Sequence, residues 1–157
     1  MGVRLRPVQD GDLDGLFVFE RDPAAVEMAA FTRADPSDRQ AFDAHYRRVR
    51  ANPSNMLCAI EQDGVLVGQI ASFMMESSRE ISYWIDPARW GQGLASAALE
   101  AFLEVELTRP LFARVAEHNT ASVKVLTRAG FVEIGRETSY ADGVAREIVE
   151  RIYRRER

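Results

Sequence analysis

Arg79-Glu-Ile-Ser-Tyr-Trp-Ile-Asp86-Pro-Ala-Arg-Trp-Gly-Gln-Gly-Leu-Ala-Ser96 contains a strand, a turn and a helix start in eighteen residues. Arg79–Asp86 reads as a strand stopped by Pro87. Strand alternation puts Glu80, Ser82 and Trp84 on one face and Ile81, Tyr83 and Ile85 on the other. After Trp90-Gly91-Gln92-Gly93 a helix is predicted to about Leu107. Its apolar face is Leu94, Ala97, Ala98, Ala101, Phe102 and Val105. A glycine turn that opens a helix leaves several backbone N–H groups without internal partners. The helix dipole adds roughly half a positive charge there, which suits a phosphate. Small residues at Gly91, Gly93 and Ala95 would let a pyrophosphate approach the main chain closely. Taken alone, Gly-x-Gly equally fits a tight strand-to-helix turn. A Rossmann fingerprint fails, because Ser96 stands at its third glycine and about 90 residues precede the motif. A Walker loop fails because no Gly-Lys-Ser/Thr follows.

On either side the pattern is mixed. Val3–Arg6 suits a first strand, and short helices are predicted over about Leu13–Glu20 and Asp38–Ala51. Asn55–Glu61 and Val65–Phe73 are apolar runs joined by Gln62-Asp63-Gly64, a hairpin signal. Leu111–Ala116 is a strand, and Thr120–Ala129 a helix ended by Gly130. Phe131–Tyr140 and Val144–Tyr153 form a last hairpin. The expected fold is mixed α/β (α+β). It has a mostly antiparallel sheet of about seven strands, flanked by about four helices, with one crossover helix between Asp86 and Leu111.

The chain has 157 residues, 46% hydrophobic and 28% charged, which fits a single domain over residues 1–157 with a real core. No apolar run approaches the ~18 residues of a membrane helix, and no signal-type stretch opens the sequence. A cytoplasmic protein is expected. With Cys58 the one cysteine, no intrachain disulfide forms. Cys58, His45 and His118 do not make a zinc pattern, so no metal is expected. Twenty basic against 24 acidic residues give −4, which argues against a nucleic-acid binder. Cys58 is expected in a buried strand and His45 on an exposed helix face.

The segment Ile81–Ala95 resembles the acetyl-CoA pyrophosphate loop of the GNAT superfamily of N-acetyltransferases. A second block agrees: Glu117-His-Asn119-Thr-Ala-Ser122 through Gly130-Phe131 is similar to that superfamily's Asn-x-x-Ser…Gly-Phe segment. The aromatic-Gly-x-Gly-x-Ala form most resembles the branch that includes ribosomal-protein N-terminal acetyltransferases. The general pattern begins its loop with Gln or Arg, where Trp90 stands here, a form that recurs in this branch.

The resemblance implies acetyl-CoA as cosubstrate. Gly91, Gln92, Gly93, Leu94, Ala95 and Ser96 would cradle its pyrophosphate. Main chain around Trp84, Ile85 and Asp86 would pair with the pantetheine arm as an added strand does. Asn119 and Ser122 would bond the pantetheine end near the thioester, although either Asn119 or Thr120 is also a good helix N-cap. Arg89, Lys124 and Arg128 are candidates for the ribose 3′-phosphate.

The implied reaction is attack of a neutral primary amine on the thioester, with a backbone N–H near Trp84–Ile85 as oxyanion donor. Deprotonating a lysine side chain at pH 7 costs about 4.6 kcal/mol, a chain terminus about 1.1. An α-amine therefore asks less of a base. Glu80 is the candidate base through water, and an exposed strand-edge carboxylate is its plain alternative. Many family members carry a Tyr five residues before the Phe of Gly-Phe, where Leu126 stands here. Ser122, Tyr83 or solvent is left as proton donor to the leaving thiolate. A protein N-terminus is the expected acceptor. A small polyamine or aminoglycoside, drawn to Asp35, Asp38 and Asp43, is one alternative, and an acyl-CoA-binding module without catalysis is another. A homodimer is plausible by family analogy.

Overall fold

The computed structural model describes residues 2–157. Seven strands form one sheet: β1 (Arg4–Pro7), β2 (Met56–Gln62), β3 (Val65–Met75), β4 (Ser78–Ile85), β5 (Leu111–Ala116), β6 (Val132–Ala141) and β7 (Arg146–Arg155). Their spatial order is β1-β2-β3-β4-β5-β7-β6. All neighbours are antiparallel except β4 and β5. Five α-helices accompany the sheet: α1 (Leu13–Arg21), α2 (Pro23–Ala29), α3 (Arg39–Ala51), α4 (Leu94–Val105) and α5 (Thr120–Arg128). The mixed, mostly antiparallel seven-stranded architecture is the expected one, with one helix more than the pattern predicts.

That helix is α2. Asp22 caps it by accepting from the amides of Ala24 and Ala25, and Pro23 occupies its first turn, where a missing N–H costs nothing. At seven residues it is too short to show a helical period. The β2–β3 turn forms as read: Asp63 and Gly64 both have positive φ, as a two-residue hairpin loop requires.

The main core lies between the sheet and α4 with α5. Leu94, Ala98, Leu99 and Phe102 of α4 meet Ile60, Ile70, Ile81, Leu111, Val115 and Tyr153. This shifts the predicted face: Leu99 is buried, while Val105 is exposed because the helix ends there and the chain turns back at Glu106. Cys58 is half-buried against this core on β2. A second core on the opposite face joins Leu16 and Phe17 of α1, Phe42 and Tyr46 of α3, and Ala59 of β2.

Polar side chains pin the ends. Arg6 of β1 donates from Nη1 to Asp12 at 2.7 Å and from Nε to Glu61 at 2.6 Å, tying strand edge to the start of α1. Buried Glu106 accepts from Ser72 and lies 3.3 Å from Arg79 Nε, anchoring the end of α4 to β3 and β4. Among the described residues no helix is long and apolar enough to cross a membrane. Among the described residues no group of three or more His, Cys, Asp or Glu is placed to hold a metal.

Candidate active site

β4 and β5 pair only over Arg79–Ile81 and Leu111–Ala113. Beyond that point they part. Ser82–Ile85 stay paired to β3, while Arg114–Ala116 pair to β7. The edges facing the gap therefore carry main-chain groups with no strand partner. Gly68 allows the end of β4 to lie close to β3. A Cβ there would stand 2.1 Å from the Trp84 carbonyl oxygen, so no other residue fits without backbone movement.

The end of β4 leads directly into the helix start. The Asp86 amide donates to the Val67 carbonyl at 2.8 Å, and the Asp86 carboxylate accepts from the Ala88 amide at 3.0 Å, capping the turn over Pro87–Arg89. Trp90 donates its indole N–H to the Ile85 carbonyl at 3.2 Å, folding the loop back on the strand. Gly91 and Gly93 then take φ of +81° and +75°, the left-handed region open to glycine. Nothing lies within 4 Å of where either Cβ would stand. Gly93 is the N-cap of α4, and its carbonyl receives the Ala97 amide at 3.1 Å. The amides of Leu94, Ala95 and Ser96 precede that first intrahelical donor, and no side chain caps them. Leu94 anchors the turn by burying its side chain in the core.

Across the gap, Asn119 caps α5 by accepting from the Ser122 amide at 3.2 Å. Asn119, not Thr120, is thus the cap. Ser122 Oγ lies 2.5 Å from the hydroxyl of Tyr83, so one side-chain hydrogen bond spans from β4 to α5. Burial pushes the Tyr83 phenol up to about 12, against a smaller lowering by the Ser122 bond. Leu126 is buried in the main core and offers no hydroxyl to the cleft.

Strand alternation holds. Ile81, Tyr83 and Ile85 face α4 and α5, whereas Trp84 donates its indole N–H to the Phe19 carbonyl of α1 at 3.1 Å on the opposite face. Glu80 shares that opposite face. It is 6% exposed, so the strand-edge alternative is overturned: β4 is an interior strand and its neighbours cover the side chain. Burial raises the Glu80 carboxyl above the usual range, and Arg114, 3.6 Å away, offsets part of that rise.

Of the remaining candidates, Arg128 shares a groove with Ser96, and Arg89 and Lys124 lie elsewhere. Arg89 lies 3.7 Å from Asp86. Arg128 lines a groove of about 620 Å³ between α4 and α5, with Ser96, Glu100, Arg109 and Arg155 among its other walls. Lys124 is exposed. His118 lies 2.6 Å through Nε2 from the Glu27 carbonyl, linking the loop before α5 to α2. Asp35, Asp38 and Asp43 are each engaged locally. Asp35 accepts from Ser37, Asp38 caps α3, and Asp43 pairs with Arg39. Burial raises the Cys58 thiol pKa, the opposite of an activated nucleophile.

A family model described as an acetyltransferase (GNAT) domain matches residues 3–132. The chain belongs to the GNAT acetyltransferase family. A search of curated proteins by sequence finds no match. Among solved structures, the fold is similar to an N-acetyltransferase from Staphylococcus aureus Mu50, with TM-score 0.83, 19% identity and 99% of each chain covered. It is also similar to a spermidine N-acetyltransferase from Vibrio cholerae solved with CoA and spermine. There the TM-score is 0.79 and identity 20%, over 96% of this chain and 94% of that one. Mycobacterium smegmatis RimJ in complex with CoA-disulfide aligns at TM-score 0.77 and 26% identity, over 97% and 81%.

Sequence reasoning missed one group on the sheet face of this GNAT domain. Arg114 of β5 reaches Glu137 of β6 at 2.8 Å and Glu150 of β7 at 3.4 Å, besides Glu80. The available signal was a lone arginine in the otherwise apolar run Leu-Phe-Ala-Arg-Val-Ala.

Proposed function

We propose that this GNAT acetyltransferase transfers an acetyl group from acetyl-CoA to a primary amine, with a protein N-terminus as the acceptor class. The observation that carries this is the parted edge of β4 and β5 running into uncapped helix amides behind Gly91 and Gly93. An edge with free main-chain groups accepts an extended amide-bearing arm as an added strand. A bare helix N-terminus accepts a diphosphate. The two lie in the order that a pantetheine–pyrophosphate molecule needs. RimJ was solved with CoA-disulfide, and the V. cholerae enzyme with CoA.

In this scheme Gln92–Ser96 hold the pyrophosphate, and main chain at Trp84–Asp86 holds the pantetheine. Asn119 and Ser122 face its thioester end. Acetyl-CoA supplies the activated acyl carbon. Glu80 takes the proton of the acceptor ammonium through water, leaving a lone pair on nitrogen. A nitrogen–carbon bond then forms, the carbon–sulfur bond breaks, and the second proton on nitrogen passes through water to the thiolate, so that CoA leaves as the thiol. A backbone N–H near Trp84–Ile85 stabilises the oxyanion, and Ser122, backed by Tyr83, donates a hydrogen bond to the departing sulfur. The chain acts as one catalytic domain in the cytoplasm, as a monomer or homodimer, without nucleic acid or membrane.

A small cationic amine is the second reading. Three carboxylates around the single Arg114 guanidinium favour it, not the aspartates before and on α3. Thiol release from acetyl-CoA, measured over peptides of varied first residue and over polyamines, tests both. The peptide series is expected to release CoA only with a free α-amine. Background release with every amine, together with stabilisation by CoA, would leave a binding module without catalysis.

A further inference from the structure

Glu80, Arg114, Glu150 and Glu137 lie on a diagonal across β4, β5, β7 and β6, on the sheet face away from α4 and α5. Glu80 is opposite Phe112, Arg114 is two residues further along β5, and Glu150 and Glu137 are level with Ala116. One guanidinium serves three carboxylates, and the shares are unequal. Arg114 Nη1 donates to Glu137 at 2.8 Å and to Glu150 at 3.4 Å. Its Nε stands 3.6 Å from Glu80, beyond hydrogen-bonding distance. The carboxylate that gets the best contact is the most exposed one. The Glu137 side chain is 54% exposed, against 8% for Glu80. An exposed carboxylate does not need a cation, whereas a buried one does. The guanidinium is therefore held where it helps Glu80 least.

We propose that Glu137 and Glu150 are positioning residues that keep Glu80 basic by drawing the Arg114 guanidinium away from it. The proposal rests on Glu80 being the base. The other groups around Glu80 act in the same direction. Its register neighbours are Phe73 on β3 and Phe112 on β5, both apolar. Glu76, in the β3–β4 turn, adds a like charge, and so does Glu150. Arg114 is the opposing charge. A base whose pKa approaches the working pH transfers protons more effectively than an ordinary carboxylate. The proton's path stays simple: it leaves the ammonium, passes through water to a Glu80 oxygen, and goes on to solvent after the acyl step.

The test is the pH profile of kcat/KM for a peptide with a free α-amine, read by thiol release. In the unsubstituted protein an acid limb is expected above the usual carboxylate range. E80Q should abolish that limb with a large loss of rate. E137Q, a change at a half-exposed site that does not threaten folding, should release Arg114 towards Glu80. The limb should then move to lower pH by about one unit, as expected from closing the ion pair by under an ångström at an intermediate dielectric. E150Q should move it the same way, and R114Q should move it up. An E137Q limb that stays in place while E80Q loses its limb would overturn the proposal and leave Glu80 as base. So would an E137Q plateau that falls with the limb unmoved, since Glu137 would then be an acceptor contact. A limb that survives E80Q would remove the base assignment and the proposal together.

Discussion

At the scale of single residues, the site depends on backbone conformations that few side chains allow. Gly93 takes φ of +75° with open space around it, so a Cβ there is penalised by conformation and not by collision. Gly93→Ala should cost about 1–2 kcal/mol in stability and blunt the rise in melting temperature that CoA produces. Thermal unfolding with and without CoA reads both effects. Asn119 carries a plainer burden. Removing its bond to the Ser122 amide in Asn119→Ala should cost about 1 kcal/mol, seen as a lower denaturant midpoint at unchanged slope. Both residues were legible as sequence, because a positive-φ glycine and an N-cap asparagine advertise themselves locally. Arg114 was not. Its importance comes from β7 lying between β5 and β6, an ordering that local residue patterns do not encode.

At the scale of elements, ends matter more than middles. The strand pairs were readable from turn chemistry: Asp63-Gly64 specifies the β2–β3 hairpin, and Pro87 stops β4. α2 was not readable by period, being seven residues long, although Asp22-Pro23 offered a cap signal. The link from β1 to the start of α1 is a largely buried ion pair, and breaking one partner leaves the other charge uncompensated. Arg6→Ala should therefore destabilise by about 3 kcal/mol. The Arg6 guanidinium, opposed by burial and helped by the Gln9 amide, holds the Asp12 carboxyl below its ordinary range. A depressed carboxyl stabilises the folded state above its unfolded pKa, and that contribution fades as pH falls through the folded value. Acid unfolding followed by far-ultraviolet circular dichroism should show this. The Arg6→Ala protein should lose the part of the acid transition that belongs to Asp12.

At the scale of the whole molecule, one sheet separates two tasks. α4 and α5 bury the main core on one face, while α1 and α3 pack on the other, the face that carries Glu80. The crossover from β4 through α4 to β5 joins them, and the cleft lies where β4 and β5 part beyond Ile81 and Ala113. Phe102 is fully buried where α4 lies on the sheet. Phe102→Ala should remove about 3–5 kcal/mol, a large fraction of the stability of an ordinary domain. Its denaturant midpoint should fall further than that of any substitution at the cleft. The central claim is that acetyl-CoA lies along that cleft with its diphosphate on the amides of Gln92–Ser96. Backbone amide resonances followed during CoA titration address it directly. The largest shifts are expected at Gln92–Ser96, with a second set at Ser82–Ile85. Saturable binding that leaves both sets in place while moving resonances elsewhere would contradict it.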